Sequence, residues 1–343
     1  MVRRDDAAGP AYGSPPGSAH EPGVGGAVVA VGGGTGLGVV LRGLKRRVGS
    51  GDLAAVVTVT DDGGSSGRLR RDFGVLPPGD IRNCIVALAD DEDLLARLFQ
   101  YRFANGEGLA GHSFGNLFLT ALTGITGDFY QAISTAESIL SVRGRILPAT
   151  LTDVRLRGLG RSGKLYEGES AIGNSGEDLT ALHLEPAAPA AFPAALEALE
   201  AATCIVLGPG SLYTSILPNL LIPGILAAIR RSTARVVLPL NLMTQPGETD
   251  GMSGMDHLAA LDRLVGLDLV DTVLVNAALP SPVLLDHYAE TGSRPVTVDL
   301  ETLQNRGIEV VHRDLLAPGE LIRHDPIKLA DAVLGAVGLE ARW

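Results

Sequence analysis

Two cysteines in 343 residues leave room for neither a disulfide framework nor a thiol-rich metal site, and Cys84 in a helical pattern and Cys204 in a strand pattern read as reduced core residues. Basic charge is also scarce. The 28 Lys and Arg against 39 Asp and Glu give a net charge of -11, which argues against nucleic acid or an anionic membrane as partner, because phosphate-rich surfaces select basic ones. Any anionic ligand must therefore be held by local donors. No run approaches the roughly 18 uninterrupted apolar residues of a membrane helix. The first 25 or so residues, rich in Gly, Pro, Ala and charge, hold no apolar stretch long enough for a signal peptide. They are expected to form a disordered tail, with residues 26–343 as one cytoplasmic domain. The seven histidines include no pair at a metal-binding helical spacing, so no metal site is expected from them.

What is present is an alternation of short apolar runs with helical patterns. The runs at 27–31, 54–60, 203–207, 235–240 and 272–276 are near-continuously apolar, the mark of strands covered on both faces. Helical patterns lie at 37–47, 80–89, 94–102, 194–201, 224–231, 257–265 and 282–290. This order predicts parallel pairing through right-handed crossovers, hence an α/β, Rossmann-like three-layer fold with a mostly parallel sheet. From about 81 to 142 four helical patterns follow one another without a strand, so a helical insertion is expected there. Segments 151–157 and 164–167 flank a glycine-rich turn and read as a hairpin. After the five strand runs stand Gly32, Asp61, Gly208, Asn241 and Asn276. In an open parallel sheet these ends share one edge, where ligands bind at the point of topological reversal.

Gly32-Gly33-Gly34-Thr35-Gly36-Leu37-Gly38 separates the first strand from a helix expected near Leu37. Glycines let the backbone approach a ligand closely, and a helix start aims unpaired N–H groups at phosphate oxygens. The dinucleotide fingerprint wants glycine where Val39 stands, and a Walker loop wants Lys-Ser/Thr after Gly38. Gly33, Gly34, Thr35 and Gly36 are thus candidate ligands of a different phosphate cradle, and a nicotinamide oxidoreductase is disfavoured. Gly208-Pro209-Gly210-Ser211 repeats the logic, with Ser211 either a ligand contact or a helix cap. Asn241 opens the polar loop 241–250, a candidate surface for a nucleotide base. Asp61 and Asp62, followed by Ser65 and Ser66, can bind a sugar, present a carboxylate to Mg²⁺ or act as general base. Asp80, opening a helix, reads as an N-cap. Gly111-His112-Ser113-Phe114-Gly115 has the letters of a serine-hydrolase elbow without the strand that elbow requires. His112, Ser113 and Asn116 remain binding candidates at a helix start, and Arg323 is a candidate partner for a diphosphate.

Together, Val31 to Gly36, Thr60 to Arg70, Pro77 to Cys84, Gly111 to Asn116, Gly208 to Ser215 and Met243 to Asp250 resemble the YvcK branch of the CofD-like family, known as gluconeogenesis factors. The resemblance runs from about Val28 to the C-terminus. It implies a Rossmann-like sheet that binds a UDP-sugar, typically UDP-N-acetylglucosamine, with no required cofactor. It also implies a regulatory role in central carbon metabolism and cell-shape or cell-wall control through a protein partner, rather than an enzymatic one. By position, Tyr288 and Arg323 match residues implicated in nucleotide-sugar binding. The sister branch transfers a phospholactyl group from a nucleotide diphosphate to a deazaflavin with Mg²⁺, and shares the glycine loop and the Asp-Asp pair. Here Gly-Gly-Ser-Ser-Gly-Arg after Asp62 replaces the transferase pattern, so that chemistry, with Asp61 or Asp62 as catalytic group, is the alternative. Apolar helix faces between 81 and 142 suggest a homodimer.

Overall fold

The computed structural model describes residues 26–90, 92–266 and 268–339; the expected tail at 1–25 lies outside them. In chain order the strands are β1 (Val28–Gly32), β2 (Leu53–Val57), β3 (Arg145–Pro148), β4 (Arg155–Gly160), β5 (Leu165–Glu167), β6 (Leu179–Glu185), β7 (Cys204–Leu207), β8 (Arg235–Pro239), β9 (Thr272–Asn276) and β10 (Glu309–Arg313). The helices are α1 (Gly34–Leu44), α2 (Gly64–Phe73), α3 (Gly79–Leu88), α4 (Glu92–Gln100), α5 (Phe114–Thr126), α6 (Phe129–Ile139), α7 (Glu169–Ile172), α8 (Pro193–Glu200), α9 (Leu217–Leu220), α10 (Pro223–Arg231), α11 (Gly254–Val265), α12 (Pro282–Glu290), α13 (Leu300–Asn305) and α14 (Pro326–Ala336).

Seven strands form one sheet in the order β10-β9-β8-β7-β1-β2-β3, every neighbouring pair parallel. β1 and β2 are buried along their whole length, as their unbroken apolar runs require of strands covered on both faces. Successive side chains leave opposite faces of a strand, and this divides the core in two. Val29, Val31, Val56, Ile205 and Leu207 join the cluster beneath α8 to α11 and the small β5-β4-β6 sheet. Val28, Ala30, Val57, Cys204 and Val206 join the cluster under α1, α3, α6 and α14. Both cysteines are free and buried in that second core. Burial pushes the Cys204 thiol up to about 12 and the Cys84 thiol well above its ordinary value, so neither is a ready nucleophile.

The chain runs outward from β1 to β2 and β3, then returns past the small sheet to β7 on the other side of β1. The reversal therefore lies between β1 and β7. Helices α3 to α6 occupy the stretch expected to be helical, and α3 lies against α1, its Ala87 Cβ in van der Waals range of Gly38. Three strands escape the sequence pattern. β3 is four residues ending in proline, β10 is an edge strand with a polar residue at each end, and β6 is interrupted by Thr180 and His183 and buried on alternate residues for most of its length, so none has a long apolar run. No single described helix is long and apolar enough to cross a membrane.

Candidate functional site

The two glycine turns meet at the reversal. α1 begins at Gly34, three residues before the expected start, with Gly33 as its N-cap; the glycines thus form the first helical turn. Only glycine fits there. Gly34 has φ +65°, and a Cβ on Gly36 would sit 2.3 Å from the Pro209 carbonyl oxygen, so the turns touch backbone to backbone. Gly208 N–H donates to Val31 O at 2.8 Å, and Asn219 Nδ2 bridges Gly32 O at 3.1 Å and Ser215 O at 2.8 Å. Asn241 Nδ2 donates to Gly210 O at 2.9 Å and Gln245 Nε2 to Ser211 Oγ at 2.8 Å. Beneath the second turn the buried Glu248 carboxylate accepts from Tyr213 N at 2.8 Å and Thr214 N at 3.3 Å. Burial raises its pKa.

Between the turns opens a cleft of about 490 Å³, lined by Gly33 to Gly36, Gly210, Ser211, Asn241, Arg42, Arg323 and His324. The first amides of a helix have no intrahelical partner; in α1 the Gly34 N–H goes to Asp80, and Thr35 and Gly36 line this cleft. Burial holds His324 down to about 4, so it is neutral at physiological pH. Tyr288 does not line the cleft; its hydroxyl accepts from Ile322 N at 3.1 Å and braces the segment that carries Arg323.

A second cavity, of about 210 Å³, adjoins the first and is lined by Asp61, Ser65, Ser66, Asp80, Arg82, Arg102 and Asn116, among others. Asp61 accepts from Gly63 N at 2.9 Å. Asp62 turns the opposite way, accepting from Ser170 N at 2.9 Å and Ser170 Oγ at 2.8 Å, so the adjacent acids do not act as a pair. Asp80 is not an N-cap. Pro78 takes that position and makes no side-chain cap, while Asp80 lies buried on α3 with its carboxyl taking the Gly34 N–H. Burial first, and the Asp61 charge second, raise it to about 7. Gly33 and Gly79 leave it and Asp61 their space: Cβ atoms there would lie 2.4 Å from Asp80 Oδ2 and 2.6 Å from Asp61 Oδ2. Glu169, which carries no signal in the sequence, accepts from Thr60 Oγ1 at 3.0 Å; burial, then Asp80 and Asp61, push it well above its ordinary value.

The remaining predicted residues are tied into this wall. Ser65 Oγ meets His112 Nδ1 at 3.0 Å, and Ser66 Oγ accepts from Asn116 Nδ2 at 3.3 Å. Ser113 caps α5. Asn276 is structural, its side chain holding Ala278 and Leu315 backbone atoms. Among the described residues no three acidic, His or Cys side chains are grouped to hold a metal ion.

A family model described as 2-phospho-L-lactate transferase CofD matches residues 28–316. A Nostoc sp. relative, provisionally named a gluconeogenesis factor, is 51% identical over 310 residues, covering 90% of this chain and 68% of its own. The gluconeogenesis factor of Bacillus subtilis is 43% identical over 308 residues, covering 90% and 96%. A crystal structure of a UPF0052-family protein from Bacillus halodurans matches with a TM-score of 0.86 at 46% identity, over 90% of this chain and 99% of that one.

Proposed function

The chain belongs to the CofD family, and from that membership and its crevice we propose a nucleotide-sugar-binding regulatory protein of gluconeogenic carbon metabolism and cell-shape control, with UDP-N-acetylglucosamine as ligand. One observation carries the reading: Gly36 and Pro209 bring two glycine turns into contact at the topological reversal, the place where α/β sheets take nucleotides. Thr35, Gly36 and Ser211 line one cleft with Arg42 and Arg323, the local donors that an acidic chain needs for a diphosphate. Asp61 lies past Gly33, on the side where the sugar would extend. The bound state would be read by a protein partner in the cytoplasm.

Isothermal titration with UDP-N-acetylglucosamine tests this, and no heat at millimolar ligand removes it. Asp61→Ala should weaken binding by about 1.5 to 3 kcal/mol, the loss of hydrogen bonds to a charged acceptor.

The Asp80 carboxyl, raised to about 7 beside Asp61, favours a second reading, the group transfer for which the family model is named. A carboxyl that titrates near neutral pH can take a proton from an acceptor hydroxyl. Mg²⁺ would be held by Asp61 with oxygens of the nucleotide, since it commonly uses one or two carboxylates plus phosphates; Asp62 is turned away. Release of nucleotide monophosphate from a phospholactyl nucleotide donor, on adding deazaflavin and Mg²⁺, would establish transfer. Intact recovery of the donor would leave the regulator.

A further inference from the structure

His324 stands in the wall of the glycine cleft and is only 6% exposed. Its backbone is held on both sides, Arg323 O accepting from Ala317 N at 2.9 Å and Asp325 N donating to Leu315 O at 2.8 Å, and Asp325 goes on to cap α14. The fold thus fixes where the ring sits. Its protonation fixes what the ring offers. Burial keeps it neutral, and the Leu240 carbonyl at the end of β8 takes a hydrogen bond from it. The buried Nε2 has no partner among the described residues, so the N–H that Leu240 engages belongs to Nδ1 and Nε2 carries a lone pair.

A buried acceptor without a donor is costly and calls for an explanation. The neighbouring amides do not supply one, since Asn241 Nδ2 is spent on Gly210 O and Gln245 Nε2 on Ser211 Oγ. What fills the cleft is left to provide it. A diphosphate offers only acceptors and would set lone pair against lone pair, whereas a nucleobase can offer a ring N–H. Direction agrees with chemistry. In the strand order β8-β7-β1-β2 the sugar extends toward Asp61 at the end of β2, so with the diphosphate on the turns of β1 and β7 the nucleoside runs the other way, to β8 and His324. Leu242, Met243 and Ile322 line the cleft there, the apolar surface on which a flat ring is held while a few polar groups orient it.

We infer that His324 reads the base of the nucleotide, accepting through Nε2 from a ring N–H, so that uracil is preferred to cytosine, whose N3 is itself an acceptor. The inference rests on the nucleotide-sugar reading and deepens it, giving the uracil of the ligand a residue that selects it. Ribose hydroxyls also donate, but they are common to every ribonucleotide and would confer no such preference.

UDP and CDP share ribose and diphosphate and differ only in the base, which makes them the probes. Titration of the full chain at neutral pH should give UDP about tenfold tighter binding or more, because CDP leaves the buried nitrogen facing another acceptor. The diphosphate of 3-methyluridine, with a methyl group in place of the N3 hydrogen, should bind the unaltered chain as weakly as CDP. His324→Phe, which keeps a ring and removes the acceptor, should bring the ratio of UDP to CDP affinity close to one. Equal affinities for UDP and CDP in the unaltered chain, undiminished binding of the methylated nucleotide, or a preference that survives His324→Phe overturn the inference while the nucleotide-sugar reading stands. No heat from UDP, CDP or UDP-N-acetylglucosamine overturns both.

Discussion

A carboxyl removed from water and set beside a second carboxylate keeps its proton to higher pH, and Asp80 is in that position against Asp61. The sign follows from linkage. A group whose folded pKa lies above its unfolded value adds stability that is complete below the unfolded pKa and is lost as pH rises through the folded one. For Asp80 the window runs from 3.8 to about 7. Urea unfolding across that range should show the unaltered chain losing stability, by on the order of a few kcal/mol, relative to an Asp80→Asn variant that cannot ionise. Parallel curves for the two proteins would count against the assignment. The sequence offered Asp80 only as the first acid of a helix, where an N-cap is the ordinary reading. Its carboxyl lies against Gly33 and takes the Gly34 N–H, both from another part of the chain, so nothing adjacent in sequence reveals it.

The glycine turns owe their shape to partners from other elements. Glu248, in the loop after β8, accepts the Tyr213 and Thr214 amides and so holds the second turn from below. Glu248→Ala leaves those buried donors unpaired and should cost about 1 to 3 kcal/mol each at most, read by urea unfolding, with weaker ligand heat in the same variant. The early start of α1 has the same kind of cause. Gly34 and Gly36 look like loop residues in isolation, and the close approach of Pro209 to Gly36 is what accounts for glycine inside a helical turn. The Tyr288 hydroxyl likewise acts on its neighbours, positioning Ile322 and Arg323 through one hydrogen bond. Arg323→Ala should therefore weaken UDP-N-acetylglucosamine binding more than Tyr288→Phe. About tenfold is expected for loss of a charged contact, and equal effects in a titration would contradict this division of roles.

Across the whole molecule the sheet order places every strand end that the sequence marked with glycine or a small polar residue along one edge, but it does not make them equal. Only the ends of β1, β2, β7 and β8 border the two cavities. The end of β9 is consumed by Asn276, which ties its own loop to Leu315. Position relative to the reversal explains the difference. β1 and β7 flank it, whereas β9 stands two places away.

Local order along the chain determined the α/β class, the parallel pairing, the helical stretch before β3 and the two glycine turns, because apolar periodicity and glycine placement act over a few residues. It also carried the likeness on which family membership was expected. Only the tertiary structure decided that Asp61 and Asp62 diverge, that Asp80 and Glu169 join Asp61, and that Arg82 and Arg102 share a cavity. Burial and charge proximity arise between segments far apart in sequence, and they exist only once the sheet has brought those segments together.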